Sequence, residues 1–165
     1  MQELLLQVYQ TFNLTTPLAT DCGAICQKRC CSQPDMGMLL LPGEAELLKD
    51  QPGYRLEQLP DGYLLICSGS CLREWRPFAC RIFPLFPLVT PKENHRPGIR
   101  LIYDPRGRQI CPLAASEYPL RQIFQRLVYR STRLLLQDET ICNWLTEFSA
   151  YLEAMEDIRL ALTSE

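Results

Sequence analysis

A chain of 165 residues with 47% apolar and 22% charged residues suits one domain that buries roughly 70% of its unfolded surface, which excludes disorder and permits a core without metal. A net charge of −2, a pI near 5.5 and the lack of a dominant lysine or arginine run exclude the electrostatic footprint of a nucleic-acid or anionic-membrane binder. The segment from Met1 to Tyr9 has neither a basic leader nor the apolar length of a secretory signal, and no later stretch is apolar enough for a bilayer, so a cytoplasmic location is expected.

Leu4, Leu5, Val8 and Phe12 recur at helical spacing, predicting a short helix over residues 1–12 that ends near Pro17. Asp21 is suited to cap a helical turn bearing Cys22 and Cys26. Side chains four apart share a face with Cβ atoms about 5–6 Å apart, so both thiolates can reach one ion at metal–sulfur distances of about 2.3 Å. Cys30 is too far along for that, because eight residues of straight helix rise about 12 Å. Either the backbone breaks or more than one metal is bound. Cys30 and Cys31, being adjacent, point apart in regular structure, which favours an irregular loop, a polynuclear cluster or two neighbouring sites.

Residues 36–41, from Met36 to Leu41, read as a short buried strand, followed by a helix with Pro42 at its first position, acids in its first turn and Lys49 in its last. Asp50 to Gly62 is turn-rich, and Tyr63 to Ile66 reads as a strand delivering Cys67. Pro77, Pro84, Pro87 and Pro91 are expected to keep residues 77–97 out of regular helix, as an ordered wrap around a centre. Segments 99–103 and 109–111 flank Asp104 to Gly107 as a hairpin that would return Cys111 toward Cys67. Ser116 is expected to cap one helix bearing Leu120, Ile123, Phe124, Leu127, Val128, Leu134 and Leu135 on its apolar side, and Asp138 a second bearing Ile141, Trp144, Leu145, Phe148, Leu152 and Met155. The expected fold is α+β, mainly helical, a single domain over 1–165 with a cysteine-rich part at about 20–112 and a C-terminal helical hairpin at about 116–162.

The chain has nine cysteines. Cys142 lies in the apolar pattern of the last helix and is read as core. The other eight fall along the chain into Cys22, Cys26, Cys30, Cys31 and Cys67, Cys71, Cys80, Cys111. In a reducing compartment clustered thiols point to metal ligation, and an odd total fits poorly with complete disulfide pairing. Eight thiolates match two tetrahedral sulfur sites, or one four-ligand iron–sulfur cluster with thiols to spare. Free cysteine is also a common buried residue, but scattered core thiols would not bunch at three- and zero-residue gaps. Lys28, Arg29, Arg73, Arg76 and Arg81 lie in or beside these runs and would offset thiolate charge. Arg76 and Arg81, between fixed prolines, are the ones expected to support the thiolates from behind.

Other chemistries fail on composition or spacing. No two cysteines have the two-residue gap of a thioredoxin-like pair. The radical S-adenosylmethionine spacing would put its third ligand on Arg29. His95, the single histidine, is read as a solvated loop residue, and a histidine-based acid–base pair is excluded. Serine elbows and phosphate loops are absent. Trp75 is expected to pack over the site.

The double cysteine Cys30-Cys31, then Cys67, Cys71, the run Arg76-Pro77-x-x-Cys80-Arg81-x-Phe83-Pro84 and Cys111 resemble the bacterial and archaeal family of zinc- or iron-chelating CxxCxxCC, or YkgJ-like, proteins. The likeness covers about residues 20–112. Its first cysteines depart from the family by three-residue rather than two-residue gaps. The resemblance implies a zinc or iron–sulfur centre. Flagellin lysine-N-methylases share the cysteine pattern, which implies a link to protein methylation, although no glycine-rich cofactor loop is present. Three readings follow: a metal-binding protein whose centre organises the proline-rich wrap, an iron–sulfur enzyme or electron carrier linked to lysine N-methylation, and a module that binds a protein partner through its C-terminal helices.

Overall fold

The computed structural model describes residues 1–31, 37–69, 71–93 and 96–163, with the backbone alone at 92, 93 and 96. It is an α+β, mainly helical single domain. No described helix is long and apolar enough to cross a membrane.

Helix α1 (Gln2–Thr11) buries Leu5, Val8 and Tyr9, with Phe12 just beyond its end, so the expected spacing forms one core-facing stripe. That stripe lies mainly against α6 (Gln122–Leu135), where Phe12 meets Phe124 edge-on at 6.3 Å between ring centres. Helix α2 (Cys22–Cys26) begins at Asp21, whose side chain accepts the Gly23 N–H at 3.0 Å as expected of a cap.

A three-stranded antiparallel sheet follows, in the order β1 (Met38–Leu39), β3 (Gly62–Cys67), β2 (Tyr54–Leu59). Strand β3 delivers Cys67 as expected, but β2 occupies a stretch read from its turn residues as irregular. Tyr54 to Leu59 alternates its side chains against β3, pairing Tyr54 with Cys67 and Leu56 with Leu65, so cross-strand packing outweighs the flanking turn signals. Met36 lies outside the described residues. Helix α3 (Glu44–Leu48) starts two residues later than expected, with Gly43 at φ +84° as its cap and Pro42 outside.

The proline-rich stretch is more regular than expected. Pro77 caps helix α4 (Phe78–Ile82), where a missing N–H costs nothing, and Pro84 stands just past its end. Next, β4 (Leu85–Glu93) pairs antiparallel with β5 (Arg96–Tyr103), and the register slips between Thr90 and Lys92, where Pro91 has no N–H to offer. The expected hairpin across Asp104 therefore does not form: β5 is taken by β4, and residues 105–107 make a tight helical turn before Cys111. Ser116 ends the short helix α5 (Pro112–Ala115) rather than starting the next, while Asp138 does cap α7 (Glu139–Thr163) through the Thr140 and Ile141 N–H groups. The two C-terminal helices lean chiefly on other elements, α7 along β4 and α6 on α1 and the β4–β5 ribbon.

A buried carboxylate ties these parts together. Glu44 is fully buried; its Oε1 accepts the Tyr9 hydroxyl and the Phe78 N–H, each at 2.5 Å, and its Oε2 accepts the Leu41 N–H at 2.8 Å. Beside it the buried Arg81 donates to the carbonyls of Tyr9, Arg76 and Glu74 and lays its guanidinium 4.2 Å from the Tyr9 ring centre. Burial raises the Glu44 pKa, and the three donated bonds pull against it. Glu44→Ala strands three donors in the core and is expected to cost about 2–4 kcal/mol in urea denaturation, against less than about 0.5 kcal/mol for the exposed Glu46→Ala.

Candidate metal centre

A backbone break between Cys22 and Cys30, one of the two alternatives raised by their spacing, occurs at Gln27 and Lys28, which both take left-handed conformations, φ +55° and +56°. Two such residues in a row cost strain and turn the chain out of α2 into the tight turn Arg29–Cys31. Cys30 and Cys31 thereby leave the face that bears Cys22 and Cys26. The loop after β3 comes close to this turn. A Cβ on Gly69, at φ +87°, would stand 3.1 Å from the Cys31 carbonyl oxygen, so glycine permits both the turn and the approach. Cys71 follows, then the turn Arg73–Trp75, then α4 with Cys80 near its middle. Cys111 arrives from the other side as the residue capping α5.

All nine cysteines are free, and the eight singled out from their spacing line two adjoining cavities. A narrow outer cavity of about 50 Å³ is walled by Cys22, Cys26, Cys30 and Cys111 together with apolar groups such as Phe83 and Ile110. An inner cavity of about 160 Å³ is walled by Cys31, Cys67, Cys71 and Cys80, with Cys22 and Cys30 on the shared side. Chain order is thus not spatial order. Cys31 joins the later cysteines and Cys111 the earlier ones, in place of the two consecutive sets of four. The neighbours whose charges bear on three of the thiols agree, Cys26 and Cys111 on Cys22, Cys71 and Cys31 on Cys67, Cys31 and Cys71 on Cys80, while Cys30 stands on the shared wall and meets Cys31 and Cys80 as well as Cys26. Cys142 is buried in α7, as expected.

The basic residues divide by role. Arg76 supports a thiol as expected, its Nε donating to Cys71 Sγ at 3.3 Å. Arg81 lines the inner cavity but spends the donors described above on carbonyls, so it fixes α4 rather than holding sulfur. Arg73, which also lines the inner cavity, donates to the Thr15 carbonyl at 2.7 Å, while its Nε is buried without a partner among the described residues. Tyr54 went unrecognised because β2 did. It lines the inner cavity, donates to the Trp75 carbonyl at 3.2 Å, and lies beside Cys71, whose contact adds to the burial that raises the tyrosine's pKa. Trp75, expected to pack over the site, packs against the hydrophobic core and is not among the residues lining either cavity. His95 lies outside the described residues.

The thiols are electrostatically unequal. Burial pushes Cys22, Cys67 and Cys80 up. Cys30 and Cys31 stand with sulfurs 3.9 Å apart, and the proton stays on Cys30: its hydrogen bond pulls Cys31 down to about 6, with help from Arg76 and Lys28.

Among the described residues no three histidine, cysteine, aspartate or glutamate side chains are grouped so as to hold an ion. The donor set nevertheless suits a thiophilic metal. The thiols are free, and the Arg76 guanidinium beside Cys71 and Cys31 offsets their charge. Comparison with family models, curated proteins and solved structures finds no match. In the metal-free protein Cys31 is expected to be alkylated first by iodoacetamide, its rate rising with pH through about 6, and Arg76→Met should move that midpoint upward.

Proposed function

We propose that the chain is a cysteine-ligated metal-binding protein, holding zinc or an iron–sulfur cluster in two thiolate sets that interlace along the chain. The outer set is Cys22, Cys26, Cys30 and Cys111; the inner set is Cys31, Cys67, Cys71 and Cys80. One observation carries this reading: eight unpaired thiols from segments nearly ninety residues apart line two cavities that share a wall. Free thiols of a merely structural core have no reason to gather with Arg73 and Arg76 at their side. The likeness to the CxxCxxCC proteins supports the same chemistry. A bound metal would neutralise the repulsion among thiolates and join α2, the loop after β3, α4 and the approach to α5.

The iron–sulfur reading, with its link to protein lysine methylation, shares these ligands and differs in colour and redox behaviour. A protein-docking role is favoured by a separate feature, the exposed row Tyr151, Met155, Ile158 and Leu162 at spacings of four, three and four on α7.

Anaerobically purified protein is expected to carry metal by elemental analysis, colourless if zinc and brown if iron–sulfur. Cys22→Ser combined with Cys111→Ser strikes one interlaced set and should remove one set's metal; in consecutive sets the same pair would damage both. Metal-free preparations that take up neither zinc nor iron, with unchanged thermal melting, would sink the reading.

A further inference from the structure

Beside the inner cavity lies an open cleft of about 730 Å³, within the range of small-molecule sites. Cys31, Cys67, Tyr54 and Lys28 line both, so the inner thiols are reached directly from it. Sites with four protein ligands are closed, whereas a site that takes up a ligand needs a free metal position, which the inner set offers when one of its four thiolates, Cys31 or Cys67 at the cleft, is exchanged for the entering group. The narrow outer cavity is of the first kind. Among the described residues, the charged side chains lining the cleft are the cationic Lys28 and Arg55, and Ser68 adds a hydroxyl. Arg55 lines the cleft while ion-paired to Glu57, which is itself outside the lining, so an entering acid group competes with Glu57 for it. Lys28 sits on the strained turn after α2, where its charge already reaches Cys31.

Building on the metal reading above, we propose that this cleft admits a small carboxylate-bearing molecule to the inner centre, with Lys28 and Arg55 holding its acid group. The two thiolate sets then differ in purpose: the outer one fixes α2 to the segment before α5, and the inner one presents an accessible face to a ligand. No covalent step is implied by the cleft itself.

Cobalt(II)-loaded full-length protein tests this through its thiolate-to-cobalt absorbance. Mercaptosuccinate, a thiol with two carboxylates, is expected to perturb the bands at about tenfold lower concentration than mercaptoethanol, equivalent to about 1.4 kcal/mol. The double variant Lys28→Ala with Arg55→Ala should keep the bands and lose the preference. Bands that respond equally to both thiols, or a preference that survives the double variant, would overturn the cleft assignment and leave the metal reading standing. Absence of thiolate-to-cobalt bands would overturn both.

Discussion

The carboxylate of Glu44 is the constraint on which the arrangement of the thiols depends. An ionisable group at zero exposure is costly unless its lone pairs are taken up. Here they are taken by donors from three different places: the Tyr9 hydroxyl on α1, the Phe78 N–H at the start of α4, and the Leu41 N–H before α3. Arg81 closes the knot from the other side. A helix as short as α4 has little stability of its own, so its position is set by this knot, and with it the position of Cys80.

Around that fixed point the cysteine loops are held by local devices. The left-handed pair Gln27 and Lys28 reverses the chain so that Cys31 faces Cys67, Cys71 and Cys80 while Cys22 and Cys26 face Cys111. Gly69 lets the opposing loop come close, and Arg76 reaches back to Cys71. Crossing the sets in this way means that neither cavity can be completed by one continuous segment. Metal bound there would link early and late parts of the chain, which is where loop-closure entropy is largest.

Much of the local structure was legible. The α1 stripe, the Asp21 and Asp138 caps, the strand into Cys67 and the burial of Cys142 all rest on short-range signals. The failures share a cause. Tyr54 to Leu59 looks irregular until β3 lies beside it, and the four prolines look like an unbroken wrap until each is seen at a helix cap, past a helix end, or in a strand with only one neighbour. Glu44 looked like an ordinary acid in a first turn, because nothing in its neighbourhood along the chain announces that Tyr9 and Phe78 will surround it.

The cysteine count, the spacings and the adjacent arginines are properties of the chain, and with helical periodicity they determined the thiol-rich chemistry and the mainly helical class. Which thiol shares a cavity with which was decided only in three dimensions. A left-handed turn brings Cys30 and Cys31 to the wall between two cavities, and packing held by a buried carboxylate brings distant side chains together; neither leaves a trace in linear spacing.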